Sequence, residues 1–266
     1  MLEPWSALPD DFVLGEYLER YADHIAADPA RYAGRWATSW RPHGGAWREV
    51  RLDLGCGKGA FAVGSALAEP DVLFVGVDVD RVCIAVAARL AAERDATNAV
   101  FAAYEDGQLA RLFAPGELTR IHLNFPTPHP KGREARLRLT HADRLVTYRA
   151  LLADDGLLSV RTDNQAFLSY SLAQLDMMGW KVCRMSADAR VEFPTVPESG
   201  YERRAVGKGA RIHALIASPD GIPVSADPGD PPPSSLYDYL PDDLDGDAYI
   251  PPEMARGIAA ILRNRR

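Results

Sequence analysis

The chain has 266 residues, 47% of them hydrophobic, and a formal net charge of −7. That length supports one large α/β domain with appendages, no apolar run approaches the ~18 residues of a membrane span, and the start Met1-Leu2-Glu3-Pro4-Trp5 lacks the basic-then-apolar pattern of a signal peptide. Cys56, Cys83 and Cys183 are scattered without a C-x-x-C, which reads as reduced thiols in a cytoplasmic protein.

A negative sum argues against a nucleic-acid partner only when the charge is spread evenly. Here residues 219–266 hold eight Asp and one Glu against four Arg, so the first 218 residues are near neutral. Within them, residues 131–149 carry Lys131, Arg133, Arg136, Arg138, Arg144 and Arg149 against Glu134 and Asp143. This cluster is a candidate phosphate-binding patch, with a solvated helix face as the plain alternative.

In chain order, residues 1–47 are rich in Trp, Tyr, Pro and Arg and predict one or two short helices near 15–27, with Trp36, Trp40 and Trp47 as packing residues. Short β-type runs near 49–54, 72–77, 99–103, 119–124 and 156–161 then alternate with helical patterns near 59–68, 81–94, 106–113, 138–153 and 165–178. Such alternation predicts a mainly parallel sheet with helices on both faces. The runs at 179–184 and 211–216 predict two more strands, joined by a long loop and paired antiparallel. The result is a Rossmann-like sheet of seven strands. Residues 219–235 are Pro/Gly/Asp-rich and read as a linker, and 252–264 as a short helix with Met254, Ile258, Ile261 and Leu262 on one side. The expected division is a helical cap (1–47), a main domain (48–218) and an acidic linker with a terminal helix (219–266). The oligomeric state, monomer or homodimer, stays open.

The first β–α unit carries the main chemical signal. Val50, Leu52 and Leu54 run into Gly55, Gly57 and Gly59, and an alanine-rich helical segment follows. This is a strand, a tight turn and a helix start, where backbone lies directly against a ligand. Gly55, Gly57 and Ala60 fit the dinucleotide fingerprint. Asp53, however, would repel a pyrophosphate and suits a cationic ligand such as the amino group of S-adenosylmethionine (SAM). Asp78, ending the run Val72 to Val77, is placed to take ribose hydroxyls, which either cofactor needs. The turn points to SAM, with NAD the alternative. Open sheets bind ligands beyond the carboxyl ends of their strands, and Asp53, Asp78, Glu105 and Asn124 all fall at such ends. Cys56 reads as a small side chain that fits the turn.

After the fourth strand comes Asn124-Phe125-Pro126-Thr127-Pro128-His129-Pro130-Lys131, whose three prolines at every second position make a stiff, extended loop. The stretch Phe125 to Leu139 resembles the F-P-D-P-W-P-K-K-R-H-x-K-R-R-L segment of the bacterial tRNA (guanine-N7)-methyltransferase family. The resemblance takes in Asp53 to Gly59, Asn98 to Glu105, Arg161-Thr162-Asp163 and Thr195 through Tyr201-Glu202 to Gly209, about residues 48–217 in all. It implies the class I SAM-dependent methyltransferase fold, SAM as cofactor and tRNA as partner. It implies that Asp53 lies by the amino-acid end of SAM and that Gly55, Gly57 and Gly59 form the turn. Asp78 would bind the ribose, and Glu105 or Asp106 the adenine amino group. Asn124 and the 125–131 loop would position the acceptor, Thr162, Asp163, Thr195 and Glu202 would lie near its pocket, and Lys131, Arg133 and Arg136 would face tRNA.

This chain departs from the family pattern in the loop. Thr127 stands where the family has an acid and His129 where it has a tryptophan, while Gly132, Glu134, Ala135 and Leu137 replace four further motif residues. Guanine N7 is already a nucleophilic lone pair, so its methylation needs positioning and electrostatics rather than a base. A carboxylate would grip the guanine N1–H and amino edge; Glu134, Asp163 and Glu202 are the candidates to replace the missing one. Two other readings remain: a SAM-dependent enzyme with another RNA or a small-molecule acceptor, and a non-catalytic protein that holds SAM or tRNA.

Overall fold

The computed structural model describes residues 8, 12–40, 46–105, 107–219, 232–241 and 249–264. In chain order the elements are α1 (Leu14–Arg20), α2 (Trp36–Ser39), β1 (Glu49–Leu54), α3 (Ala60–Ala68), β2 (Val72–Asp78), α4 (Arg81–Glu93), β3 (Ala99–Ala103), α5 (Leu109–Leu112), β4 (Leu118–Asn124), α6 (Ala142–Leu151), β5 (Leu152–Thr162), α7 (Gln165–Met177), β6 (Lys181–Ser186), α8 (Ala189–Glu192), α9 (Gly200–Val206), β7 (His213–Ser218) and α10 (Ala255–Asn264). The strands form one seven-stranded sheet in the order β3-β2-β1-β4-β5-β7-β6. The pairs β1–β2, β1–β4 and β2–β3 are parallel, and β6–β7 is antiparallel, as the alternation of runs predicts.

Contacts divide the chain into two compact units. The first is Met1–Asn124, Ala150–Leu158 and Thr195–Arg203; the second is Phe125–Arg149, Ser159–Pro194 and Arg204–Arg266. β5 lends its first part to one and its last part to the other.

In the first unit the continuous apolar run of β2 is buried at six successive positions, as expected of a strand covered on both sides. Asp80 caps α4 by accepting the Val82 amide at 2.8 Å. The small buried residues Ala85, Ala87, Ala88 and Ala91 let that helix close on the sheet around Phe101. Asn98 donates to the carbonyls of Ala66 and Val72, at 2.9 and 2.7 Å, and ties the end of α3 to the sheet. The N-terminal segment covers the β3 edge: Ile25 bridges Phe101, and Ala26 N donates to Phe101 O at 2.9 Å. Trp36 is fully buried and donates to Leu112 O at 2.8 Å, while Trp47 donates to Trp40 O at 2.9 Å. The tryptophans pack, as their setting predicts.

Three elements differ from expectation. α6 begins at Ala142, because residues 132–137 form a 3-10 segment and Arg138 turns into the interior. The helix expected near 106–113 shortens to Leu109–Leu112. The long loop between β6 and β7 contains α8 and α9; Ser199 Oγ accepts the Glu202 amide at 3.0 Å and so starts α9. Among the described residues no helix is long and apolar enough to cross a membrane.

Candidate active site

The chain leaves β1 towards β2 and β3 on one side and finds β4 on the other. At such a reversal the loops beyond the strand ends part, and a crevice opens. Asp53 lies near the end of β1 and Asn124 ends β4. Asn124 Nδ2 donates to Asp53 Oδ1 at 3.0 Å. Asp53 is only 1% exposed, and its Oδ2 has no hydrogen-bond partner among the described residues. A buried carboxylate oxygen without a donor is uncommon. Burial pushes the Asp53 carboxyl up to about 7, the nearby Asp78 charge adds to the rise, and the Asn124 hydrogen bond opposes it.

The turn that follows has all three glycines in the left-handed region: φ is 76° at Gly55, 53° at Gly57 and 78° at Gly59. Their surroundings differ. A Cβ on Gly59 would lie 2.6 Å from Ala87 Cβ and 3.0 Å from Phe101 Cζ, so this glycine seats the start of α3 against α4 and the sheet. A Cβ on Gly55 or Gly57 would meet nothing within 4 Å, which leaves their backbone open to a ligand. The turn is pinned from β2: Gly55 N and Cys56 N donate to Val77 O at 2.8 and 3.0 Å. Asp78 Oδ2 accepts from Gly57 N at 2.8 Å and its Oδ1 from Asp80 N at 3.0 Å, which fixes the carboxylate plane. Cys56 is buried and its thiol is pushed far up by desolvation, which fits a packing role.

Glu105 follows β3, is exposed, and accepts from Gln108 Nε2; Asp106 lies outside the described residues. Thr195 and Glu202 belong to the first unit as well. Pro197 sits so close to Gly64 that a Cβ there would come within 2.7 Å of it, which places this segment against α3. Thr195 is exposed and Glu202 is 1% exposed.

The second unit holds the proline loop and Asp163. Phe125 and His129 have φ of 52° and 44°, a left-handed conformation that bulky side chains rarely adopt. Phe125 N donates to Arg161 O at 2.8 Å, which ties the loop to the end of β5 just before Asp163. Thr127 is exposed. Arg138, counted above in the basic patch, is fully buried. Its Nε donates to Pro128 O at 3.0 Å, its Nη2 to His129 O at 2.7 Å and its Nη1 to Ser234 O at 2.7 Å, and it lies 4.2 Å from the centre of the Tyr170 ring. Arg149 likewise turns inward, donating to Met178 O at 2.6 Å. The patch available to a partner is therefore smaller than the sequence count. Lys131 is exposed, and Arg133 and Arg136 have 78% and 85% of their side chains exposed, with long contacts of 3.9 and 3.8 Å to Glu134 and Asp143.

Asp163 is 8% exposed, and the Tyr249 hydroxyl donates to its Oδ2 at 2.5 Å. Asn164, its neighbour, caps α7 by accepting the Phe167 amide at 3.0 Å, while its buried Nδ2 has no hydrogen-bond partner among the described residues. Asn164 and Tyr249 are site-side residues that the sequence reading passes over, and Arg138 is one that it counts in the basic patch rather than in the interior. An Asn just before a helical run is a legible cap signal, and so is Ser199 three residues before Glu202. No local pattern marks Tyr249.

Residues 48–215 match a family described as putative methyltransferases. A tRNA (guanine-N(7)-)-methyltransferase of Lactococcus lactis is 31% identical over 206 residues, spanning 76% of this chain and 93% of that protein. One of Limosilactobacillus reuteri is 31% identical over 193 residues, spanning 72% of this chain and 89% of that protein. A solved antibiotic-related methyltransferase shares the fold, with a TM-score of 0.52 at 17% identity over 65% of this chain and 88% of that one.

Proposed function

This chain belongs to the tRNA (guanine-N7)-methyltransferase family, and we propose that it moves a methyl group from SAM to N7 of a guanine in tRNA. The observation that carries the cofactor is the buried Asp53 carboxylate, one oxygen of which has no hydrogen-bond partner among the described residues, beside a glycine turn. Two acids, Asp53 and Asp78, stand within electrostatic reach of each other at that turn. A pyrophosphate there would meet two like charges, whereas an ammonium would answer that Asp53 oxygen and pull the carboxyl back down. Asp53 would take the amino group, Asp78 the ribose hydroxyls, and Glu105 the adenine amino group.

Bound SAM would supply a methyl on positive sulfur for the lone pair of guanine N7, with a neutral thioether as the leaving group and a cationic 7-methylguanine as the product. No proton has to leave, so the protein's part is to orient and to stabilise charge. Asn124 fixes Asp53 through its side chain and begins the proline loop through its backbone. The loop, stiffened by Pro126, Pro128 and Pro130 and held by Arg138, presents Thr127. In the second unit Asp163 is assigned to the acceptor, where a carboxylate grips the N1–H and amino edge of guanine and balances the positive charge that develops; in the first unit Thr195 and Glu202 keep the acceptor-side role that the family resemblance implies. Lys131, Arg133 and Arg136 meet RNA phosphates.

Thr127 motivates a second reading, a SAM-dependent enzyme with a changed acceptor, because a hydroxyl replaces the family's acid in the loop. Transfer of labelled methyl to tRNA lacking 7-methylguanosine, with the product identified as the nucleoside, separates the two. Activity of the wild-type protein establishes the first reading. A silent wild type with an active Thr127→Asp means that the acceptor site has been retargeted.

A further inference from the structure

We infer that Tyr249 is a positioning residue for the acceptor-side carboxylate Asp163, delivered by a C-terminal segment that grips the proline loop of the same unit. The inference rests on the role given to Asp163 above. The segment lies beyond residue 215, where the family match ends.

Several contacts show that this segment is built into the second unit. Leu236 N donates to Pro130 O at 2.9 Å, and the Leu236 side chain is fully buried. The Arg138 guanidinium holds both partners at once, with Pro128 O and His129 O on the loop and Ser234 O on the tail. Tyr170, on which Arg138 stacks, meets the Tyr239 ring edge-on with centroids 6.0 Å apart. Met254, just before α10, and Ile258 on that helix are buried. Gly257 lets the Tyr237 ring lie directly on that helix; a Cβ there would collide with it. The linker expected over 219–235 therefore has, in its described part 232–235, a structural job, while 220–231 lies outside the described residues.

Tyr249 follows from this anchoring. Its O–H donates to Asp163 Oδ2 at 2.5 Å, the short distance typical of a hydrogen bond to a charged acceptor. A phenol is rigid, and its O–H fixes the carboxylate oxygen that accepts it. On an acceptor side that works by orientation and charge stabilisation, a carboxylate fixed in place matters in the transition state. Tyr249 thus acts through Asp163 and touches no reacting atom.

The test is a double-mutant cycle on the full chain with Tyr249→Phe, Asp163→Asn and both together, measuring kcat and KM for tRNA, SAM affinity and thermal midpoint. Tyr249→Phe is expected to lower kcat about tenfold or more with SAM affinity and thermal midpoint unchanged. Adding it to Asp163→Asn is expected to cost nothing further. An unchanged kcat, or losses that multiply independently, overturns the inference and leaves the family reading standing. A drop that appears only as a lowered thermal midpoint also overturns it, because the tail is then merely structural. A wild type that methylates no tRNA overturns the family reading and takes this inference with it.

Discussion

Burial raises the Asp53 carboxyl from 3.8 to about 7, so a cationic ligand must draw a proton out of the site as it binds. The free protein prefers a neutral Asp53 below pH 7, and an ammonium prefers it charged. Affinity for SAM therefore rises with pH. Between pH 5.5 and 7.0 the ionised fraction grows from about 3% to about 50%, given a pKa near 7, so Kd falls roughly fifteenfold. The range stops short of the ~7.7–8.0 at which an α-amino group loses its own charge. Titration calorimetry in two buffers of different ionisation enthalpy reads both Kd and the proton released. Asp53→Asn keeps an acceptor for Asn124 but removes the charge; it weakens SAM binding at pH 7 by about 1.5–3 kcal/mol, some 10- to 150-fold, and abolishes the slope. The same burial sets the stability of the ligand-free protein. The folded pKa lies above the unfolded one, so the contribution of Asp53 is present below about pH 4 and is lost as pH rises through 7, to a ceiling of about 4 kcal/mol. Asp53→Asn is accordingly expected to raise the thermal midpoint at pH 8 without SAM. A wild-type Kd that is flat across this range, or an Asn variant with the same slope, refutes the reasoning.

Gly59→Ala combines a left-handed φ, about 1–2 kcal/mol for a Cβ, with a collision against Ala87. It is expected to lower stability clearly more than Gly116→Ala, which has a similar φ of 73° but open space around it; denaturant unfolding of the two variants compares them. Arg133→Ala with Arg136→Ala is expected to weaken tRNA binding and to reduce the salt slope by about 1.5 in log–log units, with SAM affinity intact. An unchanged slope makes the patch a solvated face. Arg138→Met leaves the carbonyls of Pro128, His129 and Ser234 without this donor, at about 1–3 kcal/mol for each one left buried. Amide exchange at Leu236, which donates to the loop at Pro130 O, should speed up in that variant.

Much of the first unit was legible because its determinants are close in sequence. The period-2 run of β1, the glycines at 55, 57 and 59 and the acid at the end of β2 appear where the pattern puts them. α9 was legible in principle through Ser199 and Glu202 but was hidden by reading the span between β6 and β7 as one loop. The basic patch misled, because a charge count treats Arg138 like Arg133. Nothing within a few residues of Arg138 says that the carbonyls of Pro128 and His129 and that of Ser234, 96 positions beyond the arginine, will meet on its guanidinium.

Sequence alone determined the alternation that makes the sheet, the turn that bends after Asp53, and the proline loop after Asn124, since spacing, φ preference and missing side chains act over a few residues. Tertiary structure decided that Asp53 titrates near 7, that Arg138 faces inward, and that Tyr249 meets Asp163 across 86 residues. Desolvation and hydrogen-bond partners depend on what folds over a residue, and distant parts of the chain supply that cover.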